Sequence, residues 1–283
     1  MIKKLKNYFL HQRNRQRVSI CLSKGCAMML NRKINLTQPS TWEFSGFSQN
    51  GEDGIIDVLR SQLNIKNRYF IEIGAADGID NNSAWMLVAE KYNGIMVEGD
   101  PALSNVAKEL IAGYSIGAEV MNLFVSTENL VDIKKQALYL NPDVMSLDID
   151  GNDYYIANKL FSLGFRPKIF VVEYNSVFGP EKPITIMYNK DFVLSKADKN
   201  NLYYGVSIQG WRLFFEKVGY RFITVDQNGV NAFFVDEKCF DSEFLNNINS
   251  LDFAENQFQL NKFRVPSSEQ FKLIQDLSFY SIT

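Results

Sequence analysis

Between residues 69 and 173 the chain alternates short apolar runs with amphipathic stretches, and few folds accommodate that pattern. The runs 69–73, 94–98, 119–125, 144–149 and 168–173 read as strands. The stretches 83–92, from Pro101 onward, 127–140 and 152–163 read as helices, the last stopped by Gly164. A strand that returns through a helix to pair with the next strand must run parallel to it, so the repeat dictates a parallel sheet covered by helices on both faces. Farther on, 205–218 reads as a helix. The segments 220–225 and 231–236 flank Asn228-Gly229, a pair suited to the tight turn of a hairpin. Ahead of the repeat a helix is expected with Asn50 as its N-cap, Glu52 and Asp53 in the first turn, and Ile55, Ile56, Leu59 and Leu63 as its buried stripe. The expected fold class is α/β: a Rossmann-like, seven-stranded, mostly parallel sheet with a closing antiparallel hairpin and an N-terminal helical arm.

Three segments follow. Residues 1–46 are expected to be a basic helical arm and linker, with Val18, Leu22, Cys26 and Met29 on one helical face and a polar stretch around Pro39. Residues 47–240 are the α/β domain, in which 176–204 lacks periodicity and reads as a substrate loop or cap. Residues 241–283 read as a C-terminal helical extension. Nine of the 30 basic residues and none of the 32 acidic ones fall in 1–33, which leaves 21 against 32 elsewhere, a formal charge of −11. Such an arm is expected to meet something anionic, whether a membrane surface, the acidic face of a second copy or, less favoured, nucleic acid, and to be dispensable for ligand binding in the domain. No apolar run approaches the ~20 residues of a membrane span. The three cysteines, Cys21, Cys26 and Cys239, form no metal pattern and suit a reducing compartment. The expected location is therefore cytoplasmic, peripheral at the inner membrane face. The lone histidine, His11, sits in the arm, so a Ser-His-Asp triad or a histidine-rich zinc site in the domain is excluded. Acid–base or metal chemistry there falls to carboxylates, Tyr, Lys or Cys.

In open parallel sheets ligands bind beyond the carboxyl ends of the strands, and the acids of this chain collect there. The first strand runs into Glu72-Ile73-Gly74-Ala75-Ala76-Asp77-Gly78. Gly74 and Gly78 allow close backbone approach. The residue two after Gly74 is Ala76, so the dinucleotide fingerprint is not met, and a nicotinamide oxidoreductase is disfavoured. Glu72 and Asp77 would repel a pyrophosphate but suit a ligand bearing an ammonium and a sulfonium. The second strand ends at Glu98-Gly99-Asp100, where a carboxylate can accept both hydroxyls of an adenosine ribose. The fourth ends at Asp148-Ile149-Asp150 and the fifth at Glu173-Tyr174-Asn175. Asp148, Asp150, Glu173 and Asn175 should converge, and clustered carboxylates call for a proton, a cationic ligand or a hard divalent ion such as Mg²⁺ held by Asp148, Asp150 and Glu173.

The segments FSQNGEDGII (47–56), FIEIGAADGIDNNSAWML (70–87), MVEGDP (96–101), FVSTENL (124–130), VMSLDIDGNDYYI (144–156), VVEYN (171–175) and YYGVSIQGW (203–211) resemble the FkbM-type methyltransferases in order and spacing. The resemblance implies the class I methyltransferase fold, S-adenosylmethionine over the first two strand ends, and O-methyl transfer to a hydroxylated small molecule, a sugar or nucleotide-sugar. It places the methionine part against Glu72, Gly74 and Gly78, with Ala75, Asp77, Asn82 and Ser83 also expected among the cofactor-binding residues. Glu98 would hold the ribose, and Asp100 with 124–126, Ser126 included, would lie near the adenine. Asp148 and Asp150 match the family's strand-four acids, with Asp150 standing where many members have Glu. Asp148 or Asp150 is then expected to act as base or metal ligand, with Glu173 and Asn175 orienting the acceptor. The rival reading is a non-catalytic S-adenosylmethionine-binding or scaffold protein. A nucleic-acid methyltransferase is disfavoured by the acidic body and the lack of an Asn-Pro-Pro-aromatic signature.

Overall fold

The computed structural model describes residues 2–114 and 117–283. The side chains of residues 2–11, His11 and the lysines at 3, 4 and 6 among them, lie outside the described residues, as does that of Tyr114. The N-terminal arm is one helix, α1 (Ile2–Asn31). Helix α2 (Glu52–Ser61) leads into β1 (Tyr69–Ile73), α3 (Ala84–Val88), β2 (Asn93–Glu98), α4 (Pro101–Tyr114) and β3 (Ala118–Asn122). The chain continues through α5 (Leu130–Gln136), β4 (Val144–Leu147), α6 (Asp153–Ser162) and β5 (Ile169–Glu173). Then come β6 (Ile184–Ile186), α7 (Leu194–Ala197), α8 (Ile208–Lys217), β7 (Arg221–Val225) and β8 (Asn231–Val235). The tail holds α9 (Ser242–Asn246), α10 (Gln257–Phe263), α11 (Ser267–Phe271) and β9 (Phe279–Ser281).

Seven strands form one sheet in the order β3-β2-β1-β4-β5-β8-β7. The first five are parallel, and β8 runs against both β5 and β7. This is the Rossmann-like sheet with a closing hairpin that the sequence pattern dictates. Its central strands are buried along their whole length, which is why they read as unbroken apolar runs. Alternation then sorts the two cores. Ile71 and Ile73 pack on one face with Ile156, Leu160, Trp211 and Phe215 from α6 and α8. Phe70 packs on the other with Ile55 and Leu59 of α2 and Met86 and Leu87 of α3. The chain moves outward through β2 and β3 and then returns to place β4 on the other side of β1. The strand order therefore reverses between β1 and β4, the place where such sheets bind ligands.

Several expected boundaries are corrected. Gly51, at φ 95°, is the N-cap of α2, and Asn50 instead donates through its backbone and its side chain to the Glu52 carboxylate. Leu63 is buried but lies beyond the end of α2. Strand β3 stops at Asn122, and α3 and α5 are shorter than their apolar patterns suggest. The linker is not a free tether, since Trp42, Phe44 and Phe47 are buried in the cores. In α1, Cys26 points outward, and Gly25 takes its place on the packed stripe with Val18, Leu22 and Met29. A Cβ at Gly25 would stand 2.4 Å from the Trp85 ring, so only glycine lets the helix axis come this close. The C-terminal extension is not wholly helical: β9 pairs antiparallel with β6, so the tail closes back on the cap segment. No helix among the described residues is long and apolar enough to cross a membrane.

Candidate functional site

Sheet register sets the site. Ile73 is aligned with Val97 and with Leu147, and Leu147 with Val172. The residues one step farther, Glu98, Gly74, Asp148 and Glu173, therefore form a row along the carboxyl edge at strand spacing, ~4.8 Å from one to the next. β1 and β4 touch closely here: a Cβ on Gly74, at φ 93°, would fall 1.6 Å from the carbonyl oxygen of Asp148. Glycine at the end of β1 is thus required by the backbone of β4.

A cavity of about 790 Å³ opens over this edge. Gly74, Ala76 and Asp80 form one wall and Glu98, Gly99, Asp100 and Phe124 the next. Asp148 and Asp150 line its far end, and Phe192, Val193, Leu194 and Ser195 close it from the cap segment. Glu98 is fixed before any ligand arrives. Its Oε2 accepts from the Ala76 amide at 2.8 Å and its Oε1 from the Asp100 amide at 2.7 Å. A carboxylate has about four acceptor positions, so two remain for a ligand. Phe124, 53% exposed, stands beside Gly99, where a Cβ would come within 3.0 Å of its ring, and offers a flat apolar surface.

Asp148, Asp150 and Glu173 each place a carboxylate oxygen within 4.8 Å of the others. Neighbouring ligands of an octahedral Mg²⁺ with bonds of ~2.0–2.1 Å stand ~2.9 Å apart, so holding such an ion would draw the three carboxylates well inside that 4.8 Å bound. Burial and then mutual repulsion with neighbouring acids push Asp148 and Glu173 well above the usual carboxylate range. Asp150 is raised by burial although it faces the cavity and is reached by water there, because protein surrounds its other sides. An oxygen of Glu173, Oε2, is enclosed without a hydrogen-bond partner. Asp150 is held at φ 56°, in the left-handed region that few side chains other than Asp and Asn enter readily. Asp153 enforces that turn by accepting from the amides of Ile149 and Gly151 at 3.0 and 2.8 Å. Phe192 lies on Gly151, where a Cβ would be 2.3 Å from the ring, and Asn152 exchanges side-chain hydrogen bonds with the backbone of Asn189.

Of the residues singled out from the sequence, Gly74, Glu98, Asp100, Asp148 and Asp150 share the cavity wall, with Glu173 in reach of the last two. The others lie elsewhere. Glu72 is buried beneath the loop, where it accepts from the Asn82 amide, and burial pushes it up to about 8. Asn82 and Ser83 are buried with it, Asn82 bonded to Ser146. Ala75 is fully enclosed, and Gly78 packs on Ala107 of α4. Asp77 is engaged by Arg17 of α1 at 2.5 Å. The Ser126 amide donates to the Asn129 side chain in the turn before α5. Asn175 is a structural residue: wholly buried, its amide donates to the carbonyls of Leu202 and Tyr204 and its oxygen accepts from Val177. It orients the backbone that carries the cap, not a ligand. Arg17 and Phe192 carry no sequence signal, because each reaches the site across 40 or more intervening residues. Asp153 was legible, as an acid three residues after Asp150 at the start of a helix.

No family model and no curated protein matches the chain. Among solved structures it is similar to an O-methyltransferase from Bacillus cereus in complex with SAH, at 16% identity and a TM-score of 0.42 over 77% of this chain and 89% of that one. It is also similar to the O-methyltransferase TomG from Streptomyces achromogenes in complex with SAM, at 16% identity and a TM-score of 0.41 over 67% and 80%. A METTL16 MTase domain aligns at 15% identity and a TM-score of 0.34 over 43% of this chain, which spans about half, 51%, of that domain.

Proposed function

We propose that the chain binds S-adenosylmethionine in the cavity above β1, β2 and β4 and transfers its methyl group to a hydroxyl of a small acceptor, a sugar or nucleotide-sugar. The observation that carries the reading is the row Glu98–Gly74–Asp148, with Asp150 beside it, along one wall at the topological switch point. Bound there, S-adenosylmethionine supplies an electrophilic methyl carbon on a cationic sulfur. The residues provide the rest. The two free acceptor positions of Glu98 suit the paired ribose hydroxyls, and Phe124 gives the adenine an apolar surface. Five lining carboxylates, Asp80, Glu98, Asp100, Asp148 and Asp150, favour a cationic ligand over an anionic one.

At the far end Asp150 faces the cavity and takes the proton as the acceptor oxygen attacks. Asp148 and Glu173 are the groups that would, with Asp150, hold Mg²⁺. The Phe192–Ser195 segment lines the cavity from the cap side and narrows the space left for the acceptor, which favours alignment of oxygen, methyl and sulfur. The outward side of α1, where Arg13, Arg15 and Lys24 are exposed, is the surface that would meet an anionic membrane or a second copy. Titration calorimetry with S-adenosylhomocysteine and with NAD tests the cofactor. Incubation with S-adenosylmethionine and nucleotide-sugar pools, read by mass as one added methyl, tests the transfer. Tight binding without methylation of any hydroxylated acceptor would instead make the chain a non-catalytic cofactor binder.

A further inference from the structure

No lysine or arginine lines the cavity among the described residues, yet the amino-acid end of the proposed cofactor carries a carboxylate as well as an ammonium. A cation reaches the loop at that end from outside the α/β domain. Arg17, halfway along α1, places Nη1 2.5 Å from Oδ2 of Asp77 and Nη2 2.8 Å from Oδ2 of Asp80, and Asp80 is part of the cavity wall. The helix is held in place one residue away by Val18, which is buried against Ile79 of the same loop together with Trp85 and Leu110. Asp77 passes the contact on to the backbone, since its other oxygen accepts from the Ile79 amide at 3.1 Å.

We propose that Arg17 is a positioning residue for the amino-acid end of the ligand, and that α1 is thereby part of the cofactor site and not a dispensable arm. The inference rests on the cofactor reading given above. Unpaired, Asp77 and Asp80 would place two negative charges beside the ligand's carboxylate. Arg17 cancels one of them, keeps the remaining charge for the ammonium, and fixes the loop that must pass close to the ligand. Its planar fork holds both carboxylates in a fixed arrangement, where a lysine would offer a single point charge on a flexible stem. The guanidinium has five donors, and the two ion pairs leave others free on a side chain that is 30% exposed.

The test compares two ligands on the full-length protein. S-Adenosylhomocysteine has the amino-acid end, whereas 5′-methylthioadenosine keeps the adenosine and thioether but lacks it. Arg17→Gln is expected to weaken S-adenosylhomocysteine about tenfold, the scale of a lost charge-assisted contact, while leaving methylthioadenosine within about twofold of wild type. Arg17→Lys is expected to fall between. Retained methylthioadenosine binding shows that the variant is folded and that the effect is local. Equal loss for both ligands, or no loss for either, overturns the Arg17 assignment and leaves the cofactor reading intact. A wild-type protein that binds neither ligand overturns the cofactor reading, and this inference with it.

Discussion

Glu98→Gln is a nearly isosteric change that separates charge from shape. In the wild type both carboxylate oxygens accept backbone amides, from Ala76 and Asp100, and each has one acceptor position left over. The glutamine keeps one oxygen for one amide and turns its NH₂ toward the other, setting donor against donor. It also presents a ligand hydroxyl with one neutral acceptor where two charged ones stood. A hydrogen bond to a charged group contributes roughly 1.5–3 kcal/mol. Water reaches this side chain, so the lower half of that range applies, and the ligand contact is the one that sets affinity. An affinity loss of about 1.5–2.3 kcal/mol, or roughly 12–45-fold in Kd, follows. Calorimetry with S-adenosylhomocysteine measures it, and a thermal melt establishes that the variant is folded. A 2′-deoxy ligand sharpens the assay, since removal of one ribose hydroxyl should cost affinity in the wild type and little in the variant. Wild-type affinity in a folded Glu98→Gln protein would show that the carboxylate only braces the loop.

Three further outcomes follow. Asp150→Asn is expected to keep the fold and cofactor binding but to lose about 100-fold or more in turnover; EDTA should reproduce that loss and Mg²⁺ reverse it if the three carboxylates hold an ion, and a fully active variant would remove Asp150 from the mechanism. Gly74→Ala combines a left-handed φ with collision against the Asp148 backbone and should cost about 2–5 kcal/mol in urea unfolding, whereas Gly113→Ala, with open space around it inside α4, should be neutral or stabilising by up to ~1 kcal/mol; equal effects would contradict the close approach of β1 to β4. Burial pushes Asp53 up to about 7 in the folded protein despite three amides donating to its Oδ2. Folding then favours the protonated acid, so its contribution is fully present below the unfolded pKa near 3.8 and is lost as pH rises through about 7. Unfolding free energy should accordingly fall between about pH 4 and 7, by at most ~1.4 kcal/mol per pH unit from this group, with Asp153 at about 6 and Glu72 at about 8 acting in the same direction up to those values. A smaller slope in Asp53→Asn is the expected signature, and an unchanged slope would assign the effect to other acids.

Local patterning determined the layered fold. Apolar runs, helical stripes and turn residues act over a few neighbours, and the βα repeat leaves few ways to arrange them, so the strands, the hairpin and the edge on which Gly74, Glu98 and Asp148 stand were legible from residue order. Ends of elements were less so. Gly51 displaced Asn50 as a cap, and the linker aromatics went into the cores, because packing partners distant in sequence decide both. The acids near the site divided in the same way. Glu98 and Asp148 stand at the ends of the two parallel strands that flank β1, and their place follows from the strand order. Glu72, Asn82 and Asn175 are close to them in sequence but point into the protein, and only the packing of α3 and of the 202–204 backbone reveals that. The arm shows the limit most clearly. Its charge was evident from the sequence, but the pairing of Arg17 with Asp77 and Asp80, about sixty residues away, depends on a glycine that lets α1 settle against Trp85. A contact of that separation leaves no local periodicity, so the tertiary structure alone decides it.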